Sequence, residues 1–467
     1  MAAALAVHET AIPGLLIVDL PLHGDARGWF KENWQRAKMV AAGLPDFGPV
    51  QHNVSFNGAP GTTRGMHAEP WDKLISLTRG RIFGAWVDLR PGPSYGKLVT
   101  EELGIDKAVF VPRGVANGYQ ALEPETVYSY LVNRHWSQAA LGSYTYLNLA
   151  DETVAIDWPL PPAELSAADL AHPRLADVTP MAPRPTVIVG AGGQLGRALR
   201  RLRPDAVALG RPALDLTIPA SLETIDWSQV GLIVNAAAYT AVDLAETEQG
   251  RRDCWELNVT GLGRLVEKAR EFGTPLVHVS SDYVFDGHQE MHGEDEPFSP
   301  LGVYGQTKAA GDALVATLSR HWIVRTSWVI GDGTNFVRTM VSLADRGISP
   351  DVVGDQFGRL TFAEDLAAAI WHLVDTAAPN GTYNMTCDGP ARSWADIARD
   401  VFEARGRARS DIHEVTTVEF LAGRSAAPRP RHSVLRLDKL RSTGFPIPSA
   451  DDRLTEYLGR VDAQRLR

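Results

Sequence analysis

Tyr304 and Lys308, four residues apart in the run VYGQTK, are the pair in this sequence whose types and spacing best suit chemistry. On a helix that spacing stacks both side chains on one face. An ammonium beside a phenol favours the phenolate, so Lys308 is expected to bring Tyr304 below the ordinary ~10 and make it a proton donor at neutral pH. Upstream, the apolar run PLVHV leads into Ser280 and Ser281, as at the end of a buried strand. A hydroxyl there is placed to hydrogen-bond a carbonyl oxygen that Tyr304 protonates. Helices with Tyr and Lys on one side are common, so the pair carries meaning only beside a nucleotide site.

The sequence supplies such a site in PTVIVGAGGQLG, where an apolar strand runs through Gly190, Gly193 and Gly196 into the helical pattern Arg197–Leu202. Glycines let the backbone turn tightly against a pyrophosphate, and the helix N-terminus offers N–H donors and positive dipole. Folds that prefer NAD place an acid about 20 residues on, for the ribose 2′-OH. Here the next strand, Ala206–Leu209, ends in Gly210-Arg211. Arg211 suits a 2′-phosphate, so NADPH is the expected cofactor and NADH the alternative.

These groups need an α/β framework, and strand, glycine turn and helix come in the right order for one at this site. The first part differs. From Leu15 to Trp158, short strands such as GLLIVDL, AVFVPRGVANGYQAL and TVYSYLV are separated by Gly, Pro and Asn, which predicts an all-β jelly roll. A Pro/Ala-rich stretch follows, so the expected domains are 1–176 and 185–467 with a linker at 177–184. Within 467 residues, 46 Lys and Arg stand against 56 Asp and Glu, a net charge of −10 that argues against a nucleic-acid or acidic-membrane surface. Trp29, Trp34, Trp86 and Trp136 have no interleaved basic cluster and read as core or pocket wall. Two cysteines, Cys254 and Cys387, form no metal or disulfide pattern. With no secretory start and no membrane-length apolar run, a reducing cytoplasm is expected.

The motifs GAGGQLG, NAAAYTAVDLAE, SSDYVFDG, VYGQTK, RTSWVIGDGTNFV and DQFGRLT together resemble dTDP-4-dehydrorhamnose reductase, an extended short-chain dehydrogenase, from about Pro185 onward. The resemblance implies a Rossmann fold with a small C-terminal substrate-binding part, and Ser281, Tyr304 and Lys308 as the catalytic set. It also implies cofactor contacts from Gly190, Gly193, Gln194, Leu195, Gly196, Arg211, Asp215, Leu216, Ala236, Ala237, Tyr239 and Asn258. Val284, Phe285, Trp328 and Asn335 would meet the substrate, with Arg429 and His432 as weaker candidates. The family usually has threonine at Ser281 and proline at Leu360. Related dehydratases carry Asp-Glu after the catalytic hydroxyl, whereas Asp282-Tyr283 follows here.

In the β-rich part, RGWFKEN, QHN, TTRGMH, DKL and VYSYLV resemble dTDP-4-dehydrorhamnose 3,5-epimerase, a cupin family, over about residues 13–175. By that resemblance His67 is the base, paired with Asp169. Tyr130 is the acid on the opposite face, and Lys73 stabilises the enolate. Arg27, Glu32, Gln51, Asn53 and Arg64 hold the dTDP-sugar, and a homodimer forms through this domain. The cast suits the chemistry: C–H bonds beside a ketone are acidic, and inversion needs a base and an acid on opposite faces. His67-Ala68-Glu69 lacks the HxH spacing of metal-binding cupins, so no metal is expected. Departures are Asn117 in place of the family's histidine, Gly84 in place of an aspartate, and a shorter loop between His67 and Lys73. Tyr128 shares a face with Tyr130, and only the resemblance separates them.

Together these imply a bifunctional enzyme: 3,5-epimerisation of dTDP-4-dehydro-6-deoxy-glucose, then NADPH-dependent reduction at C4. The alternatives are a reductase with a silent sugar-binding cupin domain, or a non-catalytic reductase-like regulatory subunit.

Overall fold

The computed structural model describes residues 4–423 and 426–465. The chain forms two compact units, Met1–Pro183 and Arg184–Arg467.

The first unit is a cupin-type sandwich of two antiparallel sheets. One sheet orders its strands Ala6–Glu9, Leu16–Asp19, Lys107–Val111, Lys73–Arg79, Thr126–Val132, Gln51–Asn57. The other runs Thr145–Tyr146, Thr63–Ala68, Val115–Ala121, Ile82–Asp88, Leu98–Leu103. Residues of both inner faces, among them Ile75, Leu77, Trp86, Val109, Tyr119 and Tyr128, interdigitate as the core. The strands that carry Lys73 and Tyr130 are neighbours, and the strand of His67 belongs to the opposing sheet. The stretch expected to be a free linker is packed. Val178 and Met181 are buried beside Leu89 and Leu175, and the Met181 N–H donates to the Leu89 carbonyl at 2.8 Å. Apolar side chains inside the Pro-rich stretch thus hold it to this unit as far as Pro183.

The second unit is built on a six-stranded parallel sheet in the order Val207–Leu209, Thr186–Val189, Leu232–Asn235, Leu276–Ser281, His321–Thr326, Gly381–Asn384. Its strands are apolar without alternation because helices cover both faces. Leu199 and Ile370, from helices Gln194–Leu202 and Ala363–Asp375, pack on one face. Leu265 and Val315, from helices Leu262–Glu271 and Val303–Val315, pack on the other. Strand order reverses about Thr186–Val189, which opens a crevice at the carboxyl ends of the strands. A separate core beneath helices Phe336–Asp345 and Trp394–Ala404 makes the smaller C-terminal part. Among the described residues no helix is long and apolar enough to cross a membrane.

Candidate active sites

A cavity of about 430 Å³ lies in that crevice, lined by Gly190, Gly193, Arg211, Asp215, Leu216, Ala236 and Ala237 among others. Gly190 has φ +79°, and a Cβ there would stand 2.5 Å from the Ala237 nitrogen, so only glycine lets the two loops close on each other. Helix Gln194–Leu202 starts at Gly193 with no side-chain cap, which leaves its first N–H groups for an anion. These features fit a dinucleotide. Leu195 and Gly196 support the turn from within, both buried, while the Gln194 amide is directed to the Thr334 carbonyl. Beyond the strand Val207–Leu209 and its Gly210-Arg211 end, the acid in the cavity is Asp215, one of the cofactor contacts the resemblance implies. Its Oδ1 accepts from the Thr217 N–H and hydroxyl at 3.0 and 2.7 Å, whereas Arg211 is exposed. Asn258, in a π-helical turn between two α-helices, accepts from the Tyr239 N–H at 2.8 Å and donates to Thr307 at 3.0 Å. It joins the Tyr239 loop to the helix of Tyr304.

Tyr304 and Lys308 share a face of helix Val303–Val315, one turn apart. Ser281 closes strand Leu276–Ser281, accepts from the Tyr283 N–H at 3.2 Å and donates to Asp282 at 2.9 Å. The Tyr304 hydroxyl is hydrogen-bonded to Ser281, yet burial pushes the phenol above its ordinary value. This corrects the expectation that Lys308 lowers it. The Lys308 ammonium is turned inward, 3.1 Å from His278 Nε2 and 2.7 Å from the Val279 carbonyl, and burial brings the lysine itself down to about 8. Burial also lifts Asp282 to about 6 against hydrogen bonds from Ser433 and Ser281.

A second cavity of about 430 Å³ is lined by Asp243, Phe336, Trp394 and Arg429 among others. Arg429 pairs with Asp243 at 2.9 Å and is hydrogen-bonded to Tyr283, whose ring meets that of Tyr304 edge-on at 5.6 Å. The weaker candidate thus connects cavity to phenol. Trp328 lies behind the wall, stacked 3.6 Å from Trp394. Three further candidates are structural. Asn335 caps helix Phe336–Asp345 and binds Tyr457, and the Val284 and Phe285 side chains are fully buried against Leu435. His432 stacks on Phe357.

In the first unit, the His67 Nε2 is 2.9 Å from Asp169, which sits in a short helix capped by Ser166. Burial raises Asp169, but hydrogen bonds from His67 and Ser166 outweigh it and hold the carboxyl below its ordinary value. The carboxylate can only accept, so Nε2 carries the proton and Nδ1 is the basic nitrogen. His172 joins this pair, with donor atoms of all three within 4.8 Å. The 2.9 Å contact suits a hydrogen bond better than two tetrahedral zinc ligands, which stand about 3.3 Å apart. A cavity of about 260 Å³ is lined by Gln51, Asn53, Glu69, Trp71, Tyr130, Trp136 and Tyr144. His67 is not among its lining residues; its ring meets Tyr146, which stacks on Tyr144 of the wall. Burial, then the charge of Glu69, push Tyr130 up to about 12, so it holds its proton at neutral pH. Tyr128 is instead buried, stacked on Tyr119 and bonded to Asn117, so Tyr130 alone of the two lines the cavity. Lys73 lies 4.9 Å over the Tyr130 ring. Arg64 is bonded to Asn57 nearby. Arg27 and Glu32 are not brought to this cavity: they pair with Asp25 and Lys38 on an exposed stretch.

Residues 184–463 match the family model described as the RmlD substrate binding domain, and residues 9–177 match that of dTDP-4-dehydrorhamnose 3,5-epimerase. The chain is 48% identical over 179 residues to the "Protein RmlC homolog" of Streptococcus pyogenes serotype M6, covering 37% of this chain and 90% of that protein. It belongs to both families, one in each unit. The dTDP-4-dehydrorhamnose reductase of Sinorhizobium fredii is 36% identical over 283 residues, 57% of this chain and 93% of the relative. Among solved structures, a dTDP-4-dehydrorhamnose reductase from Bacillus anthracis in complex with NADP is 32% identical with a TM-score of 0.55, covering 59% of this chain and 99% of that one.

Two departures in the RmlC-type unit have a physical explanation. A Cβ on Gly84 would stand 2.2 Å from the Trp86 ring, so the indole occupies the space of the missing aspartate. Asn117 takes the histidine's place and binds the Tyr128 hydroxyl at 3.2 Å. Glu69 escaped the sequence reading as a site residue. Its carboxylate accepts from Lys73 and from the Trp71 indole, both at 2.5 Å, inside the cavity wall. The signal was present in HAEPWDK, where the shortened loop puts an acid four residues before the lysine. In the RmlD-type unit His278 and Asn235 were missed, because they meet each other only across neighbouring strands, and His278 meets Lys308 only when helix Val303–Val315 packs there.

Proposed function

We propose that this chain performs two consecutive steps on one dTDP-sugar: 3,5-epimerisation of dTDP-4-dehydro-6-deoxy-glucose, then NADPH-dependent reduction of the C4 ketone to dTDP-L-rhamnose. The observation that carries the reading is the presence of both chemistries' groups in separate compact units, each with its own family match. In the first unit, His67 Nδ1 removes the proton from C3 or C5, Asp169 steadies the imidazolium, and Tyr130 returns a proton to the opposite face. Lys73 offsets enolate charge, held in place by Glu69. In the second, bound NADPH supplies the hydride to C4. Tyr304, protonated at neutral pH, gives its proton to the C4 oxygen, and Ser281 orients that oxygen. Gly190 and the N-terminus of helix Gln194–Leu202 seat the pyrophosphate, and Arg211 meets the 2′-phosphate.

A homodimer through the first unit belongs to this reading. Val54 and Phe56 are 61% and 62% exposed on the edge strand Gln51–Asn57, and Trp29 and Phe30 are 47% and 64% exposed on a hairpin. A second copy would cover that apolar surface. Sedimentation of a monomer at micromolar concentration would remove this part. The activity is tested by supplying dTDP-4-dehydro-6-deoxy-glucose with NADPH and identifying the product by NMR. The L-rhamno configuration is expected; a C4-reduced sugar with C3 and C5 uninverted would leave the first unit without its catalytic role.

A further inference from the structure

The cavity of the first unit is walled by unlike chemistries. Among its described lining residues Glu69 alone carries a charge, and Trp71, Tyr130, Trp136 and Tyr144 surround it with aromatic surface. Glu69 is 9% exposed and held at both oxygens: Oε1 accepts from Lys73 and Oε2 from the Trp71 indole, each at 2.5 Å. A carboxylate has about four lone-pair sites, so half remain open, and they can only accept. In the same wall the Gln51 carbonyl accepts from the Trp136 N–H at 2.9 Å, and the Gln51 amide donates to Asn53 Oδ1 at 2.7 Å. The wall is therefore fixed before any ligand arrives. At about 260 Å³ the cavity is smaller than the ~300–1,000 Å³ of sites for drug-sized ligands, and takes one ring rather than a whole nucleotide sugar. A pyranose ring offers C–H faces to the aromatic walls and O–H donors to the carboxylate. A diphosphate has only acceptors and finds no partner in Glu69.

We infer that Glu69 is the specificity-determining residue for the sugar ring and that its open lone pairs accept the C2 hydroxyl. The inference rests on the epimerase reading for its substrate. In dTDP-4-dehydro-6-deoxy-glucose C1 carries the nucleotide, C4 is the ketone and C6 is a methyl group, so the ring hydroxyls are at C2 and C3. C3 is inverted in the reaction, and its hydroxyl changes sides. The C2 hydroxyl keeps its place from substrate to product, and a carboxylate pinned at both oxygens can hold it throughout. Glu69 moves no proton in this role. It anchors the ring by an unreactive position while C3 and C5 are exposed in turn to the acid and the base. A sugar without that hydroxyl leaves a buried acceptor dry, which is the basis on which a polar site rejects a deoxy analogue.

The experiment compares dTDP-4-dehydro-6-deoxy-glucose with its 2-deoxy counterpart on the full chain, reading deuterium entry at C3 and C5 in heavy water. Wild type is expected to lose about tenfold or more in kcat/KM on the 2-deoxy sugar, because a hydrogen bond to a charged group is missing. Glu69→Gln keeps one acceptor oxygen, which Lys73 claims, so the loss should shrink to about threefold or less. Equal losses in the two proteins overturn the inference, and so does the absence of a loss in wild type, whether or not the variant folds. Calorimetry with dTDP-glucose, its 2-deoxy counterpart and dTDP needs no turnover and separates this inference from the epimerase reading. Wild type should bind dTDP-glucose about tenfold or more tighter than the 2-deoxy compound, and Glu69→Gln about threefold or less, with dTDP bound equally by both proteins. If neither carbon is labelled, the epimerase reading fails, and the binding difference still decides the role of Glu69. A variant that loses dTDP as much as dTDP-glucose shows Glu69 acting on the fold and overturns the inference.

Discussion

Replacing Glu69 by alanine probes the least expected feature of the first unit. The Lys73 and Glu69 side chains are 5% and 10% exposed. Glu69 satisfies the Lys73 ammonium through Oε1 and the Trp71 indole N–H through Oε2, both at 2.5 Å. Removing one partner of a buried ion pair costs about 3–5 kcal/mol because the other charge stays uncompensated. Orphaning the indole N–H adds ~1–3 kcal/mol. The adjoining cavity of about 260 Å³ admits water that recovers part of this, so the net effect on Glu69→Ala is placed at about 3 kcal/mol. Glu69→Gln keeps an acceptor and should lose roughly half as much. Removing both ends, with Glu69→Leu and Lys73→Met together, should return stability to within about 1 kcal/mol of wild type, since buried pairs rarely beat apolar replacements. The assay is urea unfolding of the full chain read by hydrogen exchange in strands Thr63–Ala68 and Lys73–Arg79. If Glu69→Ala unfolds within 1 kcal/mol of wild type, or the double variant is worse than either single one, the account of this pair is wrong.

Other expectations follow from the same geometry. Tyr304→Phe should lower ketone reduction by 10²–10⁴-fold and leave NADPH binding near wild type; unchanged turnover would remove the tyrosine from its role. Arg211→Ala should weaken NADPH by ~1.5–3 kcal/mol and NADH far less, as paired titrations would show. Gly190→Ala places a Cβ 2.5 Å from the Ala237 nitrogen in a positive-φ turn, so cofactor affinity should fall at least tenfold, from about 1–2 kcal/mol of backbone strain and the clash together. Asp282 titrates near 6 when folded against an ordinary 3.8. The folded chain therefore keeps a proton that the unfolded chain releases, and this group's contribution declines as pH rises from about 4 to 6, by about 3 kcal/mol. Asp282→Asn should flatten that part of the stability–pH curve.

What was legible in the sequence was chemistry whose parts lie close together along the chain. The run through Gly190 to Gly196 and the Tyr304/Lys308 spacing each sit on one local element, where spacing dictates geometry. Alternation correctly placed Tyr128 and Tyr130 on one side of their strand, but which of them lines the cavity depends on Tyr119 and Asn117 from the facing sheet. The direction of the Tyr304 shift was misjudged because burial, a tertiary quantity, outweighs a neighbour seen only in spacing. His278 and Asn235 were invisible for a related reason: inside apolar strands they read as interruptions until strand pairing sets them side by side. The stretch 177–184 reads as a spacer by composition, yet Val178 and Met181 find a core to enter.

The central claim, one chain with two separable activities, is tested most directly by exchange in heavy water. The wild-type protein and the His67→Ala and Tyr304→Phe variants are each given dTDP-4-dehydro-6-deoxy-glucose without NADPH, and deuterium at C3 and C5 is followed by NMR. Wild type and Tyr304→Phe are expected to label both carbons, and His67→Ala neither, while His67→Ala still reduces a pre-epimerised substrate once NADPH is added. Wild-type protein that labels neither carbon would contradict the account, leaving the first unit to bind or assemble and only the second to catalyse.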